Sequence, residues 1–441
     1  MQAFRAIFAH PGSRGMTAAA FVGRFPMAML GLALTLLVVT ETGSYATAGV
    51  VAASLTLAGA VGGPLGARLA DRLGQHRVIP PLLAVHVLSV ASLTVAVMAG
   101  LPEPLWLVLG GIAGLTGPNL GAMVRARWAG IAADQRELGS AFALESTLDE
   151  VAFVLGPPLA TGLAVLVAPW SAVAAGLLLA AGGGLSLAAQ RRTEPAPSPR
   201  RDQVGPPIWR STTLRLLTAV MLLMGAVFGA LEVSTVAFAR ERAALAATGW
   251  LLGVFALSSG LTGLYLGARP GGWALSRQLV VGAGMLAVAA AALPFLDSLA
   301  GYALGMFAAG LGVSAVMIGS MQIIERVMPR GRLTESLALA ISGVLVGSAG
   351  AVALAGAVID VAGSRAGIAV GSSAAAAGLI VLVLARGHLA RAEVLPGSSA
   401  QGPGGDVAVA AAAAAAVPGP TVMTSPAAAR GRSADGTDPP G

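Results

Sequence analysis

Six ionisable side chains fall inside stretches of the chain that are otherwise apolar. Arg24 lies beside Pro26, about a turn and a half into the first stretch. His86 falls in the third, Glu145, Asp149 and Glu150 cluster near the start of the fifth, and Glu232 lies past the middle of the seventh. A charge at membrane depth is costly, so an ionisable residue there marks a functional site by default. Glu145 and Asp149 are four apart and share one helix face, whereas Glu150 is turned about 100° from Asp149. If the fifth helix enters the membrane near Ser140, Asp149 lies about 13 Å deep, close to the midplane of a ~30 Å core. Unpaired there, a carboxylate can load and release a proton near neutral pH. Paired with Arg24 it stays ionised, in a bridge that substrate or proton could break. If the span starts only at Val151, all three acids sit solvated at the interface, and depth decides. Arg24 either meets these acids or snorkels to the interface. Glu232 could bind a cationic substrate or rest at the outer interface, and His86 reads as a packing residue.

Other polar residues at these depths are sparse. Asn119 in the fourth stretch and Gln322 in the tenth join Glu232 as candidates to line a substrate cavity. A sugar pocket needs a dense set of hydrogen-bonding and aromatic side chains, so an apolar or amphiphilic solute is the better expectation. The 14 methionines suit either an adaptable cavity or helix interfaces. There is no cysteine, and all 27 basic residues are arginine. Thiolate metal sites, cysteine nucleophiles, lysine Schiff bases and the lysine-bearing phosphate loop are therefore excluded. No paired catalytic set is visible, so an enzyme is not expected, and no cofactor or metal is implied.

The elements that position these residues are membrane helices. Of 441 residues 56% are hydrophobic and 11% charged, against roughly a quarter charged in soluble domains, which excludes a soluble fold. Twelve stretches are long enough to span: 18–40, 46–67, 78–99, 105–124, 140–168, 170–190, 213–237, 247–268, 278–296, 299–324, 337–359 and 366–385. With the amino terminus inside, most arginines, Arg125 and Arg127 among them, fall in cytoplasmic connectors, while Arg240, Arg242 and Arg365 fall outside. The positive-inside rule then places both termini in the cytoplasm of a multi-pass cell-membrane protein. The net charge of +7 reflects this topology, because the arginines are scattered rather than massed for nucleic acid. The expected division is a six-helix bundle over 1–190, a Pro-rich basic linker over 191–212, a second six-helix bundle over 213–386 and a disordered cytoplasmic tail over 387–441.

Sliding the chain on itself by 201 residues brings Gly59, Gly62, Leu65, Gly66, Ala67 and Arg68 onto Gly260, Gly263, Leu266, Gly267, Ala268 and Arg269. The same offset pairs Gly111 with Gly312 and Arg125 with Arg326, as parallel half-chain repeats would.

After the second stretch the chain reads Gly66-Ala67-Arg68-Leu69-Ala70-Asp71-Arg72-Leu73-Gly74-Gln75-His76-Arg77. This resembles the loop signature of the major facilitator superfamily, with Gly66, Asp71, Arg72, Gly74 and Arg77 as a cytoplasmic gate motif. Ala67 replaces the family's first glycine, with Gly66 one place early, and Gln75 and His76 stand where basic residues are usual. Gly74 permits a sharp reversal, and Asp71 can accept hydrogen bonds from helix-end amides or arginine. Gly156-Pro157-Pro158 with Gly162 is similar to the helix-bend motif of that family's antiporter branch, although Ala152, Ala160 and Thr161 replace its glycines. The resemblance covers residues 16–386 and implies an all-α fold of twelve transmembrane helices in two pseudo-symmetric six-helix bundles, working by alternating access. The expectation is a monomeric secondary transporter in the lipid bilayer, with protons and a small molecule as partners and no nucleic acid. It would export an apolar or amphiphilic compound, with Asp149, Glu150, Glu145 and Arg24 coupling the proton. Proton-coupled uptake of a polar nutrient, or a non-transporting sensor or membrane enzyme, are the competing readings.

Overall fold

The structure, a computed structural model, describes residues 7–196, 210–268, 274–328 and 332–394. The described residues form helices joined by short turns, with no strand among them. In the first half these are α1 (Ser13–Val22), α2 (Phe25–Thr42), α3 (Tyr45–Leu73), α4 (Gln75–Met98), α5 (Glu103–Thr116), α6 (Leu120–Ile131), α7 (Gln135–Leu166) and α8 (Pro169–Ala189). In the second they are α9 (Thr212–Glu241), α10 (Thr248–Ala268), α11 (Leu275–Ala292) and α12 (Leu299–Val327), then a long helical stretch, Leu333–Val394. Gly363, at φ 77°, breaks that stretch into α13 (333–362) and α14 (364–394).

Eleven stretches among the described residues are long and apolar enough to cross a membrane, and the last of them holds 58 residues. At 1.5 Å per residue that is about 87 Å, more than twice a ~30 Å core, so the break at Gly363 makes it two crossings and the total twelve.

Two crossings are not the continuous helices that hydropathy suggests. The first is cut at Gly23-Arg24, because Pro26 at the start of α2 lacks the donor that would continue α1. A Cβ on Gly23 would lie 2.3 Å from Leu120, and one on Gly183 of α8 would lie 2.3 Å from the Gly23 nitrogen, so the chain crosses itself there backbone to backbone. The fourth is cut at Gly117-Pro118-Asn119, where Asn119 caps α6 by accepting from Ala122 N at 3.0 Å. Broken helices are tolerated at this depth where they line a cavity.

The pairings repeat between halves. Helix α3 packs on α5 as α10 packs on α12, α4 packs on α5 as α11 packs on α12, and α4 meets α8 as α11 meets the stretch containing α14. Across the halves, α7 packs on α10 and α3 on the stretch containing α13, two contacts that exchange under the 201-residue repeat. The molecule is two pseudo-symmetric bundles. Part of the linker (197–209) and the tail beyond 394 lie outside the described residues, although α14 runs on past 386 as helix. The start of the linker is docked: Thr193 is buried, and Arg127 donates to Thr193 Oγ1 at 3.0 Å, to the Leu187 carbonyl at 2.9 Å and to the Gln190 carbonyl.

Candidate functional site

Between the bundles lies a cavity of about 1470 Å³. Its mouth is at the linker end of the molecule, bordered by Arg68 and Asp71 of α3, Gly267 of α10 and Glu335 of α13. Its floor is reached at Leu32, Leu55, Pro157, Leu252 and Ser348. Beyond the floor the halves close backbone on backbone. A Cβ on Gly49 would lie 2.6 Å from the Val352 carbonyl, one on Gly356 2.2 Å from the Tyr45 carbonyl, and one on Gly249 2.4 Å from the Pro157 carbonyl. Asp360 fastens this end: it accepts from Ser44 Oγ at 2.8 Å and from the Tyr45 and Ala46 amides at 2.8 and 2.9 Å, at the start of α3. A carboxylate at a helix N-terminus is favoured by both the free amides and the dipole.

One wall of the cavity carries a buried charge cluster. Helix α7 runs unbroken through Glu145, Asp149 and Glu150, and the first two are fully buried, so the solvated alternative does not apply to them. Arg24, 2% exposed at the break between α1 and α2, ion-pairs with Glu145 and puts Nε 2.7 Å from Asp149 Oδ1. It does not snorkel. Arg125 Nη2 donates to Asp149 Oδ2 at 2.6 Å, and Trp128 Nε1 donates to Glu145 Oε1 at 2.6 Å. Two arginines against two carboxylates leave this cluster formally neutral. Beyond the facing pair of Arg24 Nε and Asp149 Oδ1, two buried polar atoms within it, Arg24 Nη1 and Arg125 Nε, have no hydrogen-bond partner among the described residues.

Arg125 and Trp128 were not among the expected site residues. The charge pattern puts Arg125 and Arg127 in a connector, yet Arg125 is 6% exposed and Arg127 is fully buried. The break at Gly117-Pro118-Asn119 is the cause: α6 starts a fresh helix that continues beneath its neighbours beyond the end of the apolar run. The pairing of Arg125 with Arg326 in the repeat was the available signal.

Glu150 and Glu232 are different. Both border the cavity, and neither has a hydrogen-bond or ion-pair partner among the described residues. Each carboxylate reaches across to a glycine of the other bundle. A Cβ on Gly260 would lie 2.9 Å from Glu150 Oε2, and one on Gly31 would lie 3.2 Å from Glu232 Oε1. Gly31 is also the repeat counterpart of Glu232, so this contact lies close to the axis relating the bundles.

Of the other expected residues, Asn119 borders the cavity with its side-chain oxygen committed to the helix cap, and Gln322 on α12 is not part of the cavity wall. His86 borders it too, donating from Nδ1 to the Ala113 carbonyl at 2.8 Å. Gly156 packs on Ala28, Pro157 and Pro158 meet Gly249 of the other bundle, and Gly162 faces open space. In the α3–α4 turn Gly74 takes φ 91°, while Asp71, Arg72 and Arg77 are exposed and Asp71 has no partner among the described residues. Two of the departures from the signature, Gln75 and His76, are structural. Gln75 donates to the Met123 carbonyl at 3.1 Å and accepts from Arg127 Nε at 2.8 Å, and His76 binds Glu194 through its amide and ring at 2.9–3.0 Å. Burial alone would raise the Glu194 carboxyl, but the His76 hydrogen bonds and the His76 and Arg127 charges hold it below its ordinary value.

The arginines that run against the charge asymmetry are tied down at the far end. Arg242 and Arg365 both pair with Asp297, and Arg242 also stacks 3.7 Å from the Phe238 ring centroid. Arg240 donates to the Val39 carbonyl at 3.3 Å. Among the described residues no three His, Asp or Glu side chains converge as a metal site requires.

Solved structures with the same fold are transporters, at identities that speak to fold alone. The human organic anion transporter MFSD10 (TETRAN) is 18% identical with a TM-score of 0.60, covering 85% of this chain and 100% of its own. The nucleoside transporter NupG is 13% identical with a TM-score of 0.66, covering 85% and 98%. A bacterial homologue of the iron transporter ferroportin, in an inward-facing state, is 14% identical with a TM-score of 0.64, covering 85% and 98%. No curated protein sequence matches the chain. The profile of the Major Facilitator Superfamily matches residues 16–305, and with the two-bundle architecture and the transporter neighbours it makes this multi-pass membrane protein a member of that superfamily.

Proposed function

We propose that this membrane transporter is a proton-coupled exporter of a small apolar or amphiphilic compound, acting as a monomer in the cell membrane with both termini cytoplasmic. The observation that carries the reading is the bare carboxylate of Glu150, in the cavity wall at the contact between α7 and α10. It follows directly on Asp149, which two arginines hold in place. The fixed cluster of Arg24, Arg125, Glu145 and Asp149 sets the local field, and Glu150 is the member free to exchange a proton. It takes one from the outer side when the far end is open and gives it up through the linker-side mouth. A charge at the joint between two moving bundles, and its neutralisation, biases which face is closed.

The solute class follows from the wall. Leu30, Leu55, Phe228, Leu252, Phe255 and Met317 dominate it, and polar side chains are few, which suits an amphiphile better than a sugar. Asp71 and Arg72 act as the linker-side gate, engaging when the mouth closes, and Gly156-Pro157-Pro158 lets α7 bend against α10.

The test is flux in everted membrane vesicles carrying an inward-acid pH gradient. Substrate uptake is expected with the wild-type chain and not with Glu150→Gln, which should still insert and still bind. Undiminished gradient-driven flux in Glu150→Gln removes that residue from the coupling. Flux in the opposite direction favours uptake instead.

A further inference from the structure

We infer that the cavity is built for an amphiphilic organic cation, with the Glu232 carboxylate as its counter-ion. This rests on the transport reading above and names the class of solute.

Most charges at the cavity are already matched by a partner. Arg24 borders the cavity but is neutralised by Glu145 and Asp149, and Glu335 is paired with Arg332 at 2.7 Å. Arg68 and Asp71 are exposed at the mouth, opposite in sign and one helical turn apart on α3. What remains inside is the carboxyl groups of Glu150 and Glu232, one from each bundle and neither partnered among the described residues. A bare carboxylate facing an apolar chamber is unfavourable until a proton or an organic cation sits against it. A neutral ligand leaves that penalty in place, and an anion adds repulsion to it.

The surroundings of Glu232 give the cation its chemistry. Phe228 lies one helical turn before Glu232 on α9, so both face the cavity from the same side. The Phe228 ring meets Phe255 of α10 edge to face, with centroids 6.1 Å apart. A carboxylate beside paired aromatic rings fits an organic cation: the charge meets the oxygen, and the flanking groups lie against ring and aliphatic surface. Gly31 keeps the approach clear, since even a methyl group there would lie 3.2 Å from Glu232 Oε1. Position in the fold adds to the case. Glu232 lies where a residue touches its own repeat counterpart, so a cation bound there touches both bundles.

The experiment compares two ions of nearly equal size and shape and opposite charge, tetraphenylphosphonium and tetraphenylborate. Binding of each to the purified full chain in a non-ionic detergent is measured by equilibrium dialysis. The phosphonium is expected to bind saturably and the borate not to. Glu232→Gln should weaken phosphonium binding about tenfold or more, Glu232→Asp should retain most of it, and Phe228→Ala should weaken it by a smaller factor. Size-exclusion profile and thermal unfolding check that each variant is folded. If Glu232→Gln does not fold, the Asp and Phe228 variants carry the comparison. Equal binding of the two ions, saturable binding of neither, or a folded Glu232→Gln with wild-type affinity overturns the inference. Because no gradient is present, these results are independent of the vesicle flux: a charge contrast without gradient-driven flux sinks the transport reading alone, and flux without a charge contrast sinks this one alone.

Discussion

Arg125 carries the clearest consequence at the scale of single residues. Its guanidinium is the sole hydrogen-bond donor to Asp149 Oδ2 among the described residues, at 2.6 Å, in a site with almost no solvent. Removing one partner of a buried pair leaves the other charge uncompensated, at about 3–5 kcal/mol. Arg125→Met should therefore lower the unfolding temperature in detergent markedly. Adding Asp149→Asn should recover part of the loss, because the second change removes the stranded charge. Strict additivity of the two single effects would mean that the pair does not interact. Trp128→Phe is a milder case: packing is kept but the donor to Glu145 Oε1 is lost, so about 1–3 kcal/mol is expected from the same measurement. The sequence made most of this cluster readable. Arg24, Glu145, Asp149 and Glu150 stand out because ionisable groups in apolar stretches are rare. Arg125 and Trp128 do not, since an arginine just past an apolar run looks the same whether it reaches water or is roofed over. The roof belongs to α7, and nothing local to residue 125 announces it.

Helix ends and turns decide which face of the molecule is shut. Asp360, at the far end of α13, holds three donors at the start of α3, and Gly356, one turn earlier, admits the Tyr45 carbonyl. Asp360→Ala together with Gly356→Val should shift the population toward a conformation open at that end. Modification of cysteines introduced nearby, in a chain with none of its own, would read the shift as faster labelling. Unaltered labelling would place the closure elsewhere. At the linker end, the bond from His76 to Glu194 ties the α3–α4 turn to the first residues of the linker. The Glu194 carboxyl is held below its ordinary value in the folded chain, so its contribution is present above the unfolded value, near 4.3, and is lost as pH falls through the folded one. Amide exchange in residues 191–194 should therefore rise below about pH 4, and Glu194→Gln should show fast exchange at all pH values. Some of this level was visible beforehand: Gly74 marks its turn because few other residues take φ 91°. The cuts at Gly23-Arg24 and Gly117-Pro118-Asn119 were not, because hydropathy averaged over a span-length window runs straight through a two- or three-residue break. The breaker residues themselves were in plain sight.

Over the whole molecule, the repeat explains why the site is where it is. Under the 201-residue exchange, the α3–α13 contact maps onto α10–α7, and Glu232 maps onto the Gly31 it touches. Two bundles related in this way can rock about their shared axis with little change inside either one, and groups on the axis stay in contact with the solute throughout. In the present conformation the far end is closed by backbone contacts at Gly49, Gly249 and Gly356, and the linker end is open to Asp71 and Glu335. Rigid rocking then requires the two ends to change in opposite senses. Spin labels on Glu41 and Val361 report on the far end, and labels on Leu73 and Leu339 report on the linker end, all four being exposed positions. In nanodiscs, any condition that lengthens the first distance should shorten the second, and Glu150→Gln, which carries no charge at the α7–α10 joint, should move both populations together. Should the two distances vary independently, or both lengthen at once, the bundles do not move as rigid bodies about one axis, and a common site on that axis loses its physical basis.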